Sequence, residues 1–292
     1  MPARAEKRLP VLKTYKLYIG GELTRTESGR FYPVHAPGGG ALLANACRGS
    51  RKDLRNAVVA AGRALPGWSG RTAANRGQIV YRMAEMCEGR AGELVGELKR
   101  RGTSARDARR EVEGVVDRLV YYAGWADKVG QVFGTVNPVA GPYYNFSVVE
   151  PMGIVGVVAP EEPPLLGLVS RLLPVIVSGN TAVALASEAS PLPAVTFAEI
   201  LATSDLPGGV VNILTGWKRE LVPWLASHMD VRAIDLTGVP TELRAATEAA
   251  AADNVKRAVP AYDLDWADEA AQSPYMIADF LETKTVWHPM GM

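Results

Sequence analysis

The spacing of apolar positions changes along the chain, and each change marks a different kind of element. Lys16-Leu-Tyr-Ile-Gly-Gly predicts a short strand ending in a turn, and residues 41–48 predict a second extended stretch. Ser50 reads as a helix N-cap, with Asp53 placed to support the first turn. Leu54, Val58, Ala61 and Leu65 then share one helical face, and Pro66-Gly67 predicts the stop. Residues 71–100 predict one or two further helices that bury Ile79, Met83 and Met86. A long helix follows to about Gly130, with Val112, Val116, Leu119, Tyr122 and Val129 on its inner side.

At Gly134 the pattern becomes extended. Residues 135–150 predict two arms around a turn made by Pro138, Gly141 and Pro142. Beyond Pro151 strands and helices alternate. Strands are predicted at 154–159, 181–185, 210–214 and 231–236, and helices at 165–177, 191–203, 221–227 and 241–254. Pro174 is expected to bend or end the first of these helices. Such alternation predicts an α/β fold, a doubly wound parallel sheet preceded by N-terminal helices. The tail differs again: residues 262–269 are acidic and loop-like, and Glu282–Trp287 predicts a terminal alternating strand.

Composition narrows the function classes. The 292 residues are 48% hydrophobic and 22% charged with a net charge of +1. That is ordinary for a soluble domain and gives no electrostatic reason to expect nucleic acid or an anionic membrane. The basic first residues lack the apolar segment of a targeting signal and read as a solvated terminus. Lys99–Arg110 is arginine-rich but has no interleaved aromatics, so it reads as a loop and helix start. Cys47 and Cys87 make no disulfide framework, and His35, His228 and His288 are scattered, so no metal site is expected. A cytoplasmic setting is the default. Asp263 and Asp265 read as solvated acids rather than an acid/base pair, and Gly153 and Gly156 as packing glycines outside any Gly-x-Gly-x-x-Gly fingerprint.

Several phrases, in shared order and spacing, resemble the aldehyde dehydrogenase superfamily. They are Tyr18-Ile-Gly-Gly-Glu22, Gly141 to Gly153, Ile154 to Pro160, Gly179-Asn-Thr181, Ser187-Glu188, Leu206 to Gly216 and Thr283 to Trp287. The resemblance implies a dinucleotide-type domain at 14–134 and 151–262, with oligomerisation strands at 135–150 and 274–292. It also implies a catalytic domain before the terminal strand. About two dozen residues separate Val259 from that strand, whereas a domain needs at least ~50; the catalytic domain is expected to be absent.

The chemistry implied by the resemblance is correspondingly depleted. The family's nucleophilic Cys belongs to the absent domain, and Cys47 and Cys87 read as packing residues. Glu162 stands where the family has an oxyanion-stabilising Asn, and an ionised carboxylate cannot donate there. Ala261 falls at or near the place of the family's general-base Glu. No catalytic residue is therefore expected. For the cofactor, Leu185 replaces a ribose-binding Lys, Val239 and Pro240 alter the pyrophosphate turn, and Trp217-Lys-Arg-Glu220 replaces glycines near the adenine. Glu188, Ser187 and Gly238 remain as a vestigial NAD(P) site, with no cofactor expected to depend on it. The expected function is an inactive subunit that pairs strands with a full-length aldehyde dehydrogenase, or with copies of itself. The alternative is an NAD(P)-dependent oxidoreductase acting on aldehydes, or a cofactor-sensing subunit completing a composite site.

Overall fold

The structure, a computed structural model, describes residues 11–291. Of the solvated terminus expected over residues 1–13, residues 1–10 lie outside the described residues, and Lys13 pairs with Glu199 at 2.9 Å.

Three short strands open the chain, Thr14–Tyr15 (β1), Leu17–Ile19 (β2) and Glu22–Thr24 (β3). Phe31–His35 (β4) pairs antiparallel with Leu42–Cys47 (β5). Sequence reasoning missed β4 because Pro33 interrupts it. Proline is tolerated there because β4 is the edge strand of the small sheet β1-β5-β4.

Helix Arg51–Ser69 (α1) starts on the expected capping box: Ser50 Oγ accepts from Asp53 N, and the Asp53 carboxylate accepts from Ser50 N at 2.8 Å. The helix does not stop at Pro66-Gly67. Pro66 removes one amide from its last turn, but Trp68 is buried beyond it and its indole N–H donates to the Ile176 carbonyl at 2.9 Å. Ala73–Gly89 (α2), Ala91–Arg100 (α3) and Ala105–Trp125 (α4) follow. The long helix expected to reach Gly130 breaks after Trp125, and a short helix, Val129–Phe133 (α5), resumes.

After the arm strands Thr135–Asn137 (β6) and Tyr143–Pro151 (β7) comes the alternating half. Its elements are Ile154–Val158 (β8), Leu166–Val177 (α6), Thr181–Leu185 (β9), Leu192–Leu201 (α7), Val211–Leu214 (β10), Lys218–Ser227 (α8), Val231–Asp235 (β11), Thr241–Ala252 (α9) and Arg257–Val259 (β12). Pro174 does not end α6, which is buried on every side and continues to Val177.

The main sheet runs β12-β11-β8-β9-β10-β2-β3, with its first five strands parallel. Alternate residues feed two cores, as a sheet covered on both faces requires. Val155, Val157, Ala182 and Ala184 pack with α2, α4, α6 and α7. Ile154, Val158, Val183 and Leu185 pack with α1, α8 and α9. The chain winds outward from β8 to β9 and β10, then returns to place β11 on the other side of β8. The strand order therefore reverses between β8 and β11.

Residues 260–280 are not a loose connector. Trp266, Ala271, Ile277 and Phe280 join the first core, and Arg118 donates to the Trp266 carbonyl at 2.8 Å. A short helix, Tyr275–Ala278 (α10), precedes the terminal strand Leu281–Pro289 (β13). Residues 274–280, grouped with the terminal strand on sequence, thus pack into the main body.

The arm sheet has the order β13-β7-β6, with β7 and β13 paired antiparallel from Leu281↔Pro151 to Pro289↔Tyr143. One face carries a polar line beside Tyr143 and Trp287: Asn137 donates to Asn145 at 2.6 Å and to Ser147 at 2.9 Å, and Ser147 bonds Thr285 at 2.9 Å. The other face carries Val136, Tyr144, Phe146, Val148 and Val286, with Val136, Tyr144 and Val148 exposed. Both arms leave the body beside buried Asn180. Its amide accepts from Gly153 N and donates to Ser178 Oγ and the Phe280 carbonyl, each at 2.7 Å.

Candidate functional site

A doubly wound sheet offers its ligand crevice at the carboxyl ends of the strands, where the strand order reverses. Here that place is bounded by Ala159, just after β8, and by the Thr237–Pro240 turn that opens α9. Beside it lies a cleft of about 570 Å³ whose walls include Tyr32, Arg101, Glu161, Glu188, Trp217 and Lys218.

Glu161, Glu188 and Trp217 follow strand ends, while Tyr32 lies within β4 and Arg101 follows α3. Glu188 follows β9, and its carboxylate accepts from the backbone N–H of Lys218, the first residue of α8. It therefore serves the helix N-terminus, where negative charge is favourable. Burial raises its carboxyl above the usual range, and the neighbouring Glu161 adds to this despite the Lys218 amide. Ser187 donates to Glu161 at 2.7 Å and accepts from Ser190 N at 2.9 Å. Burial also pushes the Glu161 carboxyl upward. Lys218, the Ala189 amide and the Ser187 hydroxyl overcome that and hold it below the usual range.

Lys218 is the residue that sequence reasoning did not single out. Its side chain is 2% exposed, and its ammonium donates to the Ala159 carbonyl at 2.6 Å and the Gly238 carbonyl at 3.1 Å. It also pairs with Glu161. The sequence signal was the stretch Trp217-Lys-Arg-Glu220, read there only as bulk. It forms the first turn of α8, which begins at Lys218 rather than Leu221. Trp217 does stand in the cleft, with its ring 4.8 Å from that of Tyr32. The Tyr32 hydroxyl is buried without a partner among the described residues, and burial, then Glu188 and Glu161, raises its pKa.

The three vestigial cofactor residues thus come together at one crevice, but their polar groups already have internal partners. Gly238 N donates to the Val158 carbonyl at 3.0 Å, and Val239 N to Leu236 at 3.1 Å. Pro240 has no N–H to offer. Leu185, in the ribose-binding Lys position, is buried in the second core. A dinucleotide needs free donors for its phosphates, and this turn does not present them.

The positions matched on sequence to catalytic residues lie elsewhere around the fold. Glu162 lines a different cleft, with Asp107, Glu111 and Asp265. Burial and then Glu161 raise its carboxyl, against Arg101. Ala261 is partly buried against the second core. Both cysteines are buried, and burial pushes the Cys87 thiol up to about 12, far from a ready thiolate. No cluster of metal-binding side chains occurs among the described residues.

Beneath the crevice, buried Arg171 on α6 pairs with Asp235 at the end of β11, its Nε 2.5 Å from the carboxylate. The same guanidinium lies 3.7 Å from Asp279 and over the Tyr262 ring at 4.5 Å. It joins the sheet to residues 262–280, which close the body.

Comparison with known proteins agrees with this architecture. The aldehyde dehydrogenase family model matches residues 23–261. Retinal dehydrogenase 2 of Gallus gallus is 34% identical over 251 residues, covering 84% of this chain and 48% of that protein. Omega-crystallin of Enteroctopus dofleini is 30% identical over 256 residues, covering 86% and 51%. Among solved structures, a putative aldehyde dehydrogenase from Burkholderia cenocepacia superimposes with a TM-score of 0.79 at 31% identity, covering 83% of this chain and 49% of that one. HpcC from Thermus thermophilus gives 0.79 at 32% identity, covering 84% and 47%. The chain spans about half the length of the curated relatives it matches. Fold and sequence agree, and the chain belongs to the aldehyde dehydrogenase family.

Proposed function

We propose that this chain is a catalytically inactive member of the family that assembles with a full-length aldehyde dehydrogenase subunit by β-strand pairing. The observation that carries the reading is the arm sheet. β13 is its edge strand, nine residues long, and the apolar side chains of one face are exposed. An edge strand of that length is a template for another chain. The family resemblance supplies the receiving surface, a catalytic-domain sheet in a neighbouring subunit, and residues 260–280 leave no room for such a domain here. A homo-oligomer through the same arms is the other outcome. Both cysteines are free and buried, in keeping with our placement of the protein in the cytoplasm. No helix among the described residues is long and apolar enough to cross a membrane.

Co-expression with a full-length aldehyde dehydrogenase from the same genome, followed by size-exclusion chromatography with mass measurement, tests the reading. A shared peak of summed mass is expected, and two separately eluting species overturn it. The rival reading, an NAD(P)-dependent oxidoreductase acting on aldehydes or a cofactor sensor, rests on Glu188 and the βα framework. Calorimetry with NAD and NADP tests it, and binding heat would favour it.

A further inference from the structure

The Lys218 ammonium lies where the strand order reverses, and it bridges the two sides of that reversal. Ala159 ends the β8 side and Gly238 belongs to the turn after β11; their carbonyls accept from the same nitrogen. A lysine has three N–H donors. Ala159, Gly238 and Glu161 supply three acceptors. No donor is left to meet a phosphate, which separates this lysine from one poised for an anionic ligand.

The walls agree. A Cβ at Gly238 would meet the Ala159 oxygen at 2.0 Å, so the α9 turn lies directly against the end of β8. Glu161 and Glu188 put two carboxylates beside the same place. Glu161 is held toward Lys218 by Ser187 and by the Ala189 amide at 3.0 Å.

We infer that Lys218 is a built-in occupant of the dinucleotide crevice: its ammonium joins the two strand ends from within, so the fold closes without a dinucleotide and does not admit one. The inference is independent of the assembly reading and would hold equally for a monomer.

Two measurements on the full wild-type chain test it. Millimolar NAD or NADP is expected to leave the melting temperature unchanged; a saturable rise with either one overturns the inference. Amine labelling under native conditions, read by mass spectrometry, should find Lys218 protected relative to Lys52 and Lys284, whose side chains are 50% and 61% exposed. Labelling of Lys218 as fast as those two also overturns it. A third experiment examines the contact itself. Lys218→Met should lower the melting temperature by roughly 5–10 °C, because Glu161 and two carbonyls lose their partner. Lys218→Met with Glu161→Met should recover part of that loss, as expected for a coupled pair. A Lys218→Met protein that melts like wild type refutes the role. If that variant does not fold, the two wild-type measurements still decide.

Discussion

The crevice at the ends of β8 and β11 and the arm sheet of β6, β7 and β13 handle polar groups in opposite ways. In the crevice, polar groups are turned on one another: Glu188 on an amide, Ser187 on Glu161, Lys218 on two strand ends. In the arms, polar side chains are joined on one face, while the edge of β13 and the apolar side chains of the other face remain presented outward. One region is interior in character, and the other presents an unpaired strand edge and exposed apolar side chains. Stability should therefore respond to changes in the first, and association to changes in the second.

The harshest test lies beneath the crevice. Arg171→Met leaves Asp235 buried with only its Thr237 bonds, and urea unfolding should show a loss of about 3–5 kcal/mol. A loss under about 1 kcal/mol would mean the buried pair does not hold residues 262–280 to the sheet. Next come the arms. Tyr144→Lys with Val148→Lys should weaken association at least about tenfold, near 1.4 kcal/mol, with the melting temperature nearly unchanged. If melting falls and association does not, the contrast between the regions is wrong.

A finer test compares two buried lysines. Lys218 has a carboxylate partner, whereas Lys256, at the opposite ends of β11 and β12, donates to neutral oxygens, among them the carbonyls of His228 at 2.7 Å and Val231 at 2.8 Å. Burial, then Arg232, lowers the Lys256 pKa to about 8 from 10.5. Between those values the unfolded chain binds the proton and the folded one releases it, so stability should rise with pH across that window. Cys87 opposes this above pH 9 and tyrosines above pH 10, since burial raises Cys87, Tyr18 and Tyr122 to about 12. The rise should be seen between about pH 8 and 9 and should flatten in Lys256→Met; an equal slope in both proteins would remove Lys256 as its source. The smallest effect is expected from Glu188→Gln, which keeps an acceptor for the Lys218 amide. Melting within about 2 °C of wild type is predicted, and a larger fall would show that the charge itself matters.

The framework was legible in the sequence because burial on two faces leaves unmistakable runs such as Ile154–Val158 and Thr181–Leu185. The Ser50–Asp53 box was legible because capping is local. What stayed hidden depended on contacts distant in sequence. A lysine in a polar turn reads as solvated, and only the approach of Ala159 and Gly238 makes Lys218 interior. β4 was hidden by Pro33, which the sheet edge accommodates. α1 and α6 run through prolines because tertiary packing outweighs a missing amide. Leu185, Val239 and Pro240 could be read from the sequence, but the internal pairing of Lys218 with Glu161 could not.

Asn180 gives the arms a mechanical meaning. One carboxamide grips the chain where the first arm ends, at Gly153, and where the second begins, at Phe280. A pull on either strand is delivered to the same side chain and from there to the start of β9 in the middle of the main sheet. The arms are levers with a common fulcrum. On the assembly proposed above, a subunit that took hold of them would fix the heading of the whole body rather than merely tether it.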